Sequence, residues 1–130
     1  MSKILVRTKG WIDTEEDDYE HGCLPGKFGV SWDFDCRGTY DNVGELKDAV
    51  RKATYWSLTD DMFFFYDGAL RFSITVDVDN NEPSESQLER WRRGEERMWL
   101  ADGCVSVWVV PDGMHEMTDE EAKAFGLEVY

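Results

Sequence analysis

Met62 to Asp79, MFFFYDGALRFSITVDVD, is the stretch that decides the fold. An apolar block, Met62 to Tyr66, meets Asp67-Gly68, and a cleanly alternating block follows. In an extended chain Leu70, Phe72, Ile74, Val76 and Val78 share one side, and Arg71, Ser73, Thr75, Asp77 and Asp79 share the other. Asp-Gly between two strand-like runs signals a type I′ hairpin, because both central residues of that turn take positive φ. The spacing predicts a β-hairpin at the centre of a sheet, with Phe72 and Ile74 both facing the core.

Upstream, Lys3 to Thr8 is a short apolar strand. Phe28 to Asp35 alternates Phe28, Val30, Trp32 and Phe34 with Gly29, Ser31, Asp33 and Asp35, the pattern of a half-buried strand. Asn42 to Trp56 predicts a helix: Asn42 is an N-cap residue with Glu45 three positions on, and Leu46, Ala49, Val50 and Ala53 form a stripe. Downstream, Ser84 to Leu100 predicts a second helix, opened by Ser84 with Gln87 or by Ser86 with Glu89. Its stripe is Leu88, Trp91, Met98 and Trp99, and Asp102-Gly103 ends it. Gly94 reads as an interior glycine, costing about 1 kcal/mol relative to Ala.

Cys104 to Val110 is apolar on both faces and predicts a central strand. Thr118-Asp119-Glu120-Glu121 is a capping box for a short helix that Gly126 ends, and Leu127 to Tyr130 is expected to dock as a little strand. The reading is one α+β domain over residues 1–130. It has a mostly antiparallel sheet of about five strands, two main helices on one face and a short C-terminal helix. The other face carries Ser31, Asp33, Ser73, Thr75 and Asp77.

The chain of 130 residues holds 14 basic and 28 acidic side chains, a net charge of -14. Such a surface repels nucleic acid and anionic membrane and attracts basic proteins or cations. Three cysteines, Cys23, Cys36 and Cys104, are odd in number and far apart, which argues against a disulfide framework and for a reducing compartment. No apolar run approaches the ~18 residues of a membrane span, and the first residues lack the apolar core of a secretion signal. The expectation is a cytoplasmic protein.

Lys9 to Lys27 reads as a long solvated loop. It gathers Asp13, Glu15, Glu16, Asp17, Asp18 and Glu20 beside Trp11 and Tyr19. Clustered carboxylates beside aromatic rings can imitate a nucleic acid, the charges standing for phosphates and the rings for base-stacking platforms.

Other groupings carry weaker chemistry. His21, Cys23, Cys36, Cys104 and His115 are zinc-ligand types without zinc-module spacing. Asp77-Val78-Asp79-Asn80-Asn81 opens like a calcium loop, but Glu82 stands where glycine is needed and Leu88 where a bidentate Glu is needed. The pairs Asp33 with Asp35 and Asp77 with Asp79 share strand faces, as acid–base chemistry would ask, yet arise easily among 28 acids. Arg90, Arg92, Arg93 and Arg97 crowd one predicted helix, and Arg90, Arg93 and Arg97 are the candidate anion site.

No catalytic or cofactor motif is present. The expectation is a small non-enzymatic inhibitor or interaction protein, of the kind phage anti-defence or immunity loci encode. It would grip a basic protein, such as a nucleic-acid enzyme, with Trp11, Tyr19, the loop acids, Asp33 and Asp77, without cofactor, metal or direct nucleic-acid contact. The alternatives are a nucleotide or anion binder using the Arg cluster, with a homodimer as one arrangement, and a small enzyme built on carboxylate pairs.

Overall fold

The computed structural model describes residues 3–14, 31–79, 81–110 and 114–130. The central hairpin stands as the sequence predicts. Strands β5 (Phe63–Tyr66) and β6 (Ala69–Val76) pair antiparallel around a two-residue turn, with φ of 49° at Asp67 and 74° at Gly68. Leu70, Phe72, Ile74 and Val76 are buried. Val78 lies past the strand end and is exposed.

The other strands are β1 (Lys3–Val6), β2 (Gly10–Thr14), β3 (Ser31–Phe34), β4 (Gly38–Tyr40), β7 (Trp99–Ser106), β8 (Trp108–Val110) and β9 (His115–Glu116). They form two antiparallel sheets, of four strands in the order β4-β1-β8-β9 and of five in the order β3-β2-β7-β6-β5. The α+β class and antiparallel pairing are as expected; the second sheet was not. Its origin is visible in the register. Ile4 faces Tyr40, and Gly10 faces Phe34, so β1–β2 and β4–β3 keep one register across both sheets. On the other flank Leu5 faces Trp108 and Trp11 faces Cys104, so the 5–11 side is two residues longer. The extra residues bend the band, as a bulge does, and its two ends become two sheets around one core.

Ile4, Val6, Ile12, Phe34, Phe72, Val105, Val107 and Val109 all belong to that core. Two glycines make it possible. A Cβ on Gly10 would lie 2.2 Å from the Phe34 ring, and one on Gly103 would lie 2.2 Å from the Phe72 ring. Each ring crosses over the glycine directly opposite it in the next strand. The rings then meet at 6.0 Å between centroids, with Phe63 a further 5.7 Å from Phe72.

Helix α1 (Val43–Thr54) contributes Val43, Leu46 and Val50 to the core, and Asn42 Oδ1 accepts from Glu45 N at 2.9 Å. Arg51 fastens its C-terminal end. Its guanidinium lies over the Phe63 ring, donates to Asp48 and Asp60 at 2.6 Å each, and donates to the Leu58 carbonyl.

Helix α2 (Glu85–Arg92) opens with the expected Ser84–Gln87 capping box but ends eight residues short of the sequence reading. Gly94 is the cause. At φ 78° it accepts the left-handed position past the helix end, and Gly94 N–H and Glu95 N–H donate to the carbonyls of Trp91 and Arg90. That pair of bonds is the Schellman motif. The chain is thus released to make β7 from Trp99, and Asp102-Gly103 lies inside that strand rather than at a helix end. Helix α2 buries no residue fully, so of the two main helices it is α1 that contributes buried side chains to the core. Helix α3 (Asp119–Ala124) has the predicted Thr118–Glu121 capping box and closes at Gly126. The tail docks as expected: Val129 bridges Phe65 in parallel.

Two stability outcomes follow from these contacts. Phe72→Ala should destabilise by about 3–5 kcal/mol and Gly103→Ala by about 1–3 kcal/mol through overpacking, both read in urea melts. Gly103→Ala with Phe72→Leu should fall short of the sum of the two single changes, because the shared contact is removed only once.

Asp60 gives the pH outcome. The Arg51 hydrogen bond, helped by Lys47, holds its carboxyl below the usual range. A depressed carboxyl stabilises above its unfolded pKa and loses that contribution as pH falls. The urea midpoint should therefore decline below about pH 4, and Asp60→Asn should flatten part of that decline while leaving the midpoint constant with pH near neutrality.

Candidate partner-binding face

Alternation puts inward residues of the five-stranded sheet on the core and leaves a second set facing out. The strand registers arrange this second set in rows. One row runs Asp33, Trp11, Cys104, Arg71, Phe64 across all five strands. The next runs Asp13, Asp102, Ser73 across β2, β7 and β6. With Tyr66 these residues line a cleft of about 450 Å³, Asp33 standing at its β3 margin. Trp11 and Tyr66 are exposed, at 39% and 53% of their full surface.

Asp13 and Asp102 stand directly opposite each other on neighbouring strands. Like charges in that position destabilise a sheet. Ser73 Oγ donates to Asp102 Oδ1 and aims that carboxylate. Arg71 sits at the other end: its guanidinium lies 5.4 Å from the Tyr66 ring centre, and its Nε donates to the Tyr66 carbonyl at 2.9 Å. Cys104 is between them. Burial pushes its thiol up to about 11; Arg71 pulls it down, while Asp13 and Asp102 push it further up. A thiol held so high is not a nucleophile at neutral pH. Cys36 is also buried and pushed to about 11, by burial and by Asp35.

The structure brings together Trp11, Asp13 and Asp33, three of the residues that the sequence puts in a partner site. Trp11 and Asp13 do so as strand residues, since β2 occupies what reads as the start of a loop. Glu15, Glu16, Asp17, Asp18, Tyr19 and Glu20 lie outside the described residues. Asp77 is elsewhere. Its Oδ1 accepts from Asp79 N and Asn81 N at 2.8 and 2.9 Å, closing the turn after β6. That turn also explains the calcium-like spacing.

The Arg cluster is not a single helix face, because α2 ends at Arg92. Arg90 binds Glu96 at 3.0 Å and Ser86 at 3.0 Å, Arg93 lies 3.3 Å from Glu95, and Arg97 is beyond the helix. Arg90 and Arg93 thus pair with local acids rather than forming a common fork. Of the zinc-ligand types, His21 and Cys23 lie outside the described residues, and His115 Nε2 lies 2.8 Å from Glu121. Among the described residues no group of three or more such side chains is placed to hold a metal ion.

Phe64, Tyr66, Arg71, Asp102 and Cys104 were missed as site residues. The hairpin alternation already set Arg71 outward, and Phe64 and Tyr66 follow from the two-residue turn. Asp102 was hidden by reading the start of β7 as a helix end, and Cys104 by standing at the head of a strand read as apolar on both faces. Comparison with family models, curated proteins and solved structures gives no match.

The opposed carboxylates predict a local trade. Asp102→Asn keeps an acceptor for Ser73 and removes one of two facing charges, so it should stabilise the fold by about 0.2–1 kcal/mol. The gain should shrink as salt is raised. Urea melts at low and high ionic strength read both effects.

Proposed function

We propose that this chain is a non-enzymatic binding protein that docks a basic protein surface on the outer face of its five-stranded sheet. One observation carries the reading: exposed rings and carboxylates converge on one rigid sheet cleft, Trp11 and Tyr66 around Asp13 and Asp102, with Asp33 beside Trp11. Tyr and Trp bring large contact area at small entropic loss. Carboxylates arranged on a rigid sheet steer a positively charged partner and raise its association rate. The net charge of -14 extends that attraction beyond the cleft. Three carboxylates beside aromatic platforms resemble what a phosphate-binding groove meets in a nucleic acid. A nucleic-acid enzyme is therefore the partner class this chemistry favours.

The test compares the natural chain with Asp13→Asn/Asp33→Asn/Asp102→Asn, each immobilised and exposed to lysate of the native host. The natural chain should retain a basic protein that salt releases, and the variant should lose it. With the purified partner, the association rate should fall about tenfold or more at low salt, with a smaller change in dissociation. Equal capture and equal association rates would overturn the reading.

A further inference from the structure

We infer that a second cavity, apart from the partner-binding cleft, binds one small aromatic ammonium, an indole or a single ring carrying a short aminoalkyl arm. It encloses about 210 Å³ between residues 56–62, the end of β6 and the start of α2. Its origin is a mismatch of strand lengths. β6 pairs with β7 as far as Val76 but with β5 only as far as Phe72. A 3₁₀ turn at Asp60–Met62 carries the chain away from β6 before β5 begins. Among the described residues, Ser73 to Val76 thus have a strand partner on the β7 side alone. Helix α2 closes the gap incompletely, since it buries no residue fully.

Size and lining select the ligand. Trp56, Leu58, Met62, Ile74 and Leu88 give an apolar interior, in which Leu58 and Ile74 are buried and Met62 is exposed. An apolar cavity of roughly 150 Å³ takes up benzene, so this one holds a ring system and a short arm. It falls below the roughly 300 Å³ at which sites for drug-sized ligands and cofactors begin, which excludes a nucleotide. Trp56 offers a π face to a cation, and Met62 a thioether that favours aromatic contact.

Glu82 sets the charge. It lines the cavity beside Pro83, and no basic side chain among the described residues lines it. Its Oε1 accepts from Ser57 N–H at 3.2 Å. A carboxylate has roughly four acceptor sites, so capacity for an ammonium remains. The net charge of -14 favours a cation over an anion as well. The cavity and the partner-binding cleft share Ser73 alone among their lining residues, and the Ser73 hydroxyl is committed to Asp102. This site is therefore independent of the role proposed for the outer face.

The probes are tryptamine, indole and indole-3-acetate, titrated into the full chain carrying ¹⁵N and ¹³C-methyl labels and followed by NMR. Tryptamine should saturate at one molecule per chain and shift the Leu58, Ile74 and Leu88 methyl signals with the Trp56 indole N–H. Indole should bind more weakly, and indole-3-acetate most weakly. Glu82→Gln keeps an acceptor for Ser57. It should weaken tryptamine by about 2- to 5-fold, the scale of an exposed ion pair, and leave indole unchanged. Leu88→Trp should fill the cavity and abolish the shifts from all three probes, with urea melts confirming that the variant is folded. Asp13→Asn/Asp33→Asn/Asp102→Asn should bind tryptamine as the natural chain does, because none of the three lines this cavity.

Equal affinity for the three probes would leave an apolar hole without charge preference and overturn the assignment. Tryptamine shifts confined to Trp11 and Tyr66, and lost in the triple Asp variant, would put the amine in the partner-binding cleft and overturn it too. Unmoved cavity signals at millimolar tryptamine would show the space to be a packing gap. None of these outcomes bears on the partner-binding role, which rests on other residues.

Discussion

Two phenylalanine rings lying over two glycines hold this fold together. Strands β2 and β7 are neighbours in the middle of the five-stranded sheet, and each carries a glycine where a core side chain would otherwise stand, Gly10 and Gly103. A glycine inside a strand is ordinarily a weak point. Here the ring of the adjacent outer strand fills the gap, Phe34 from one side and Phe72 from the other. The rings meet each other above the central pair, and Phe63 continues the stack. An aromatic laid across a cross-strand glycine fixes register, because a slip of one residue turns the ring to solvent. It also determines the opposite face. Once Gly10, Ile12, Gly103 and Val105 are inward, Trp11, Asp13, Asp102 and Cys104 must be outward.

Polar contacts divide by role. Arg51 closes a structural junction, bringing α1, the Leu58 carbonyl, Asp60 and the Phe63 ring to one guanidinium. Asp35 with Arg37 closes the bend between β3 and β4, and the Arg37 hydrogen bonds hold the Asp35 carboxyl down to about 2. Each of these opposes charge to charge. The outer cleft does the reverse, setting Asp13 against Asp102. Surface ion pairs contribute little individually, so a protein gains little by avoiding such an opposition, but it gains nothing in stability by making one. Local conflicts of this kind concentrate at functional surfaces.

The hairpin was legible because its signal is entirely local. Asp67-Gly68 specifies the turn, and the alternation after it specifies the inward set. Both capping boxes were local as well. The failures came where two periods compete. Leu88, Trp91, Met98 and Trp99 fit a helical stripe, yet Trp99, Ala101, Gly103, Val105 and Val107 alternate as a strand. Gly94 decides between them by stopping the helix, whereas Gly126, with the same geometry, was read correctly because no apolar run follows it. Strand β2 was lost for another reason. Gly10 contributes no side chain to the pattern, and its role is intelligible only once Phe34 is seen across from it. The pairing of Asp13 with Asp102 is legible in no single window, since it depends on the two-residue difference between the strands joined at the bend.

That bend also explains why the cleft belongs to one sheet. A band kept straight from Lys3 to Thr14 would present one extended outer face, on which Leu5 and Trp108 would continue the row pattern of Trp11 and Cys104. The extra residues at 7–9 turn the band, so the outer faces of its two ends diverge. Arg7 stacks over Trp108 at 5.5 Å on the four-stranded side, while Arg71 stacks over Tyr66 on the five-stranded side. The carboxylates of Asp13, Asp33 and Asp102 stay with the second of these. A fixed sheet, held by rings on its buried face, thus carries its aromatic and acidic groups with little freedom to rearrange. Groups held on strands in this way bind with less ordering entropy than the same groups on a loop. In the role proposed for this face, the strand positions of Trp11 and Asp13 would therefore lower the ordering cost of binding.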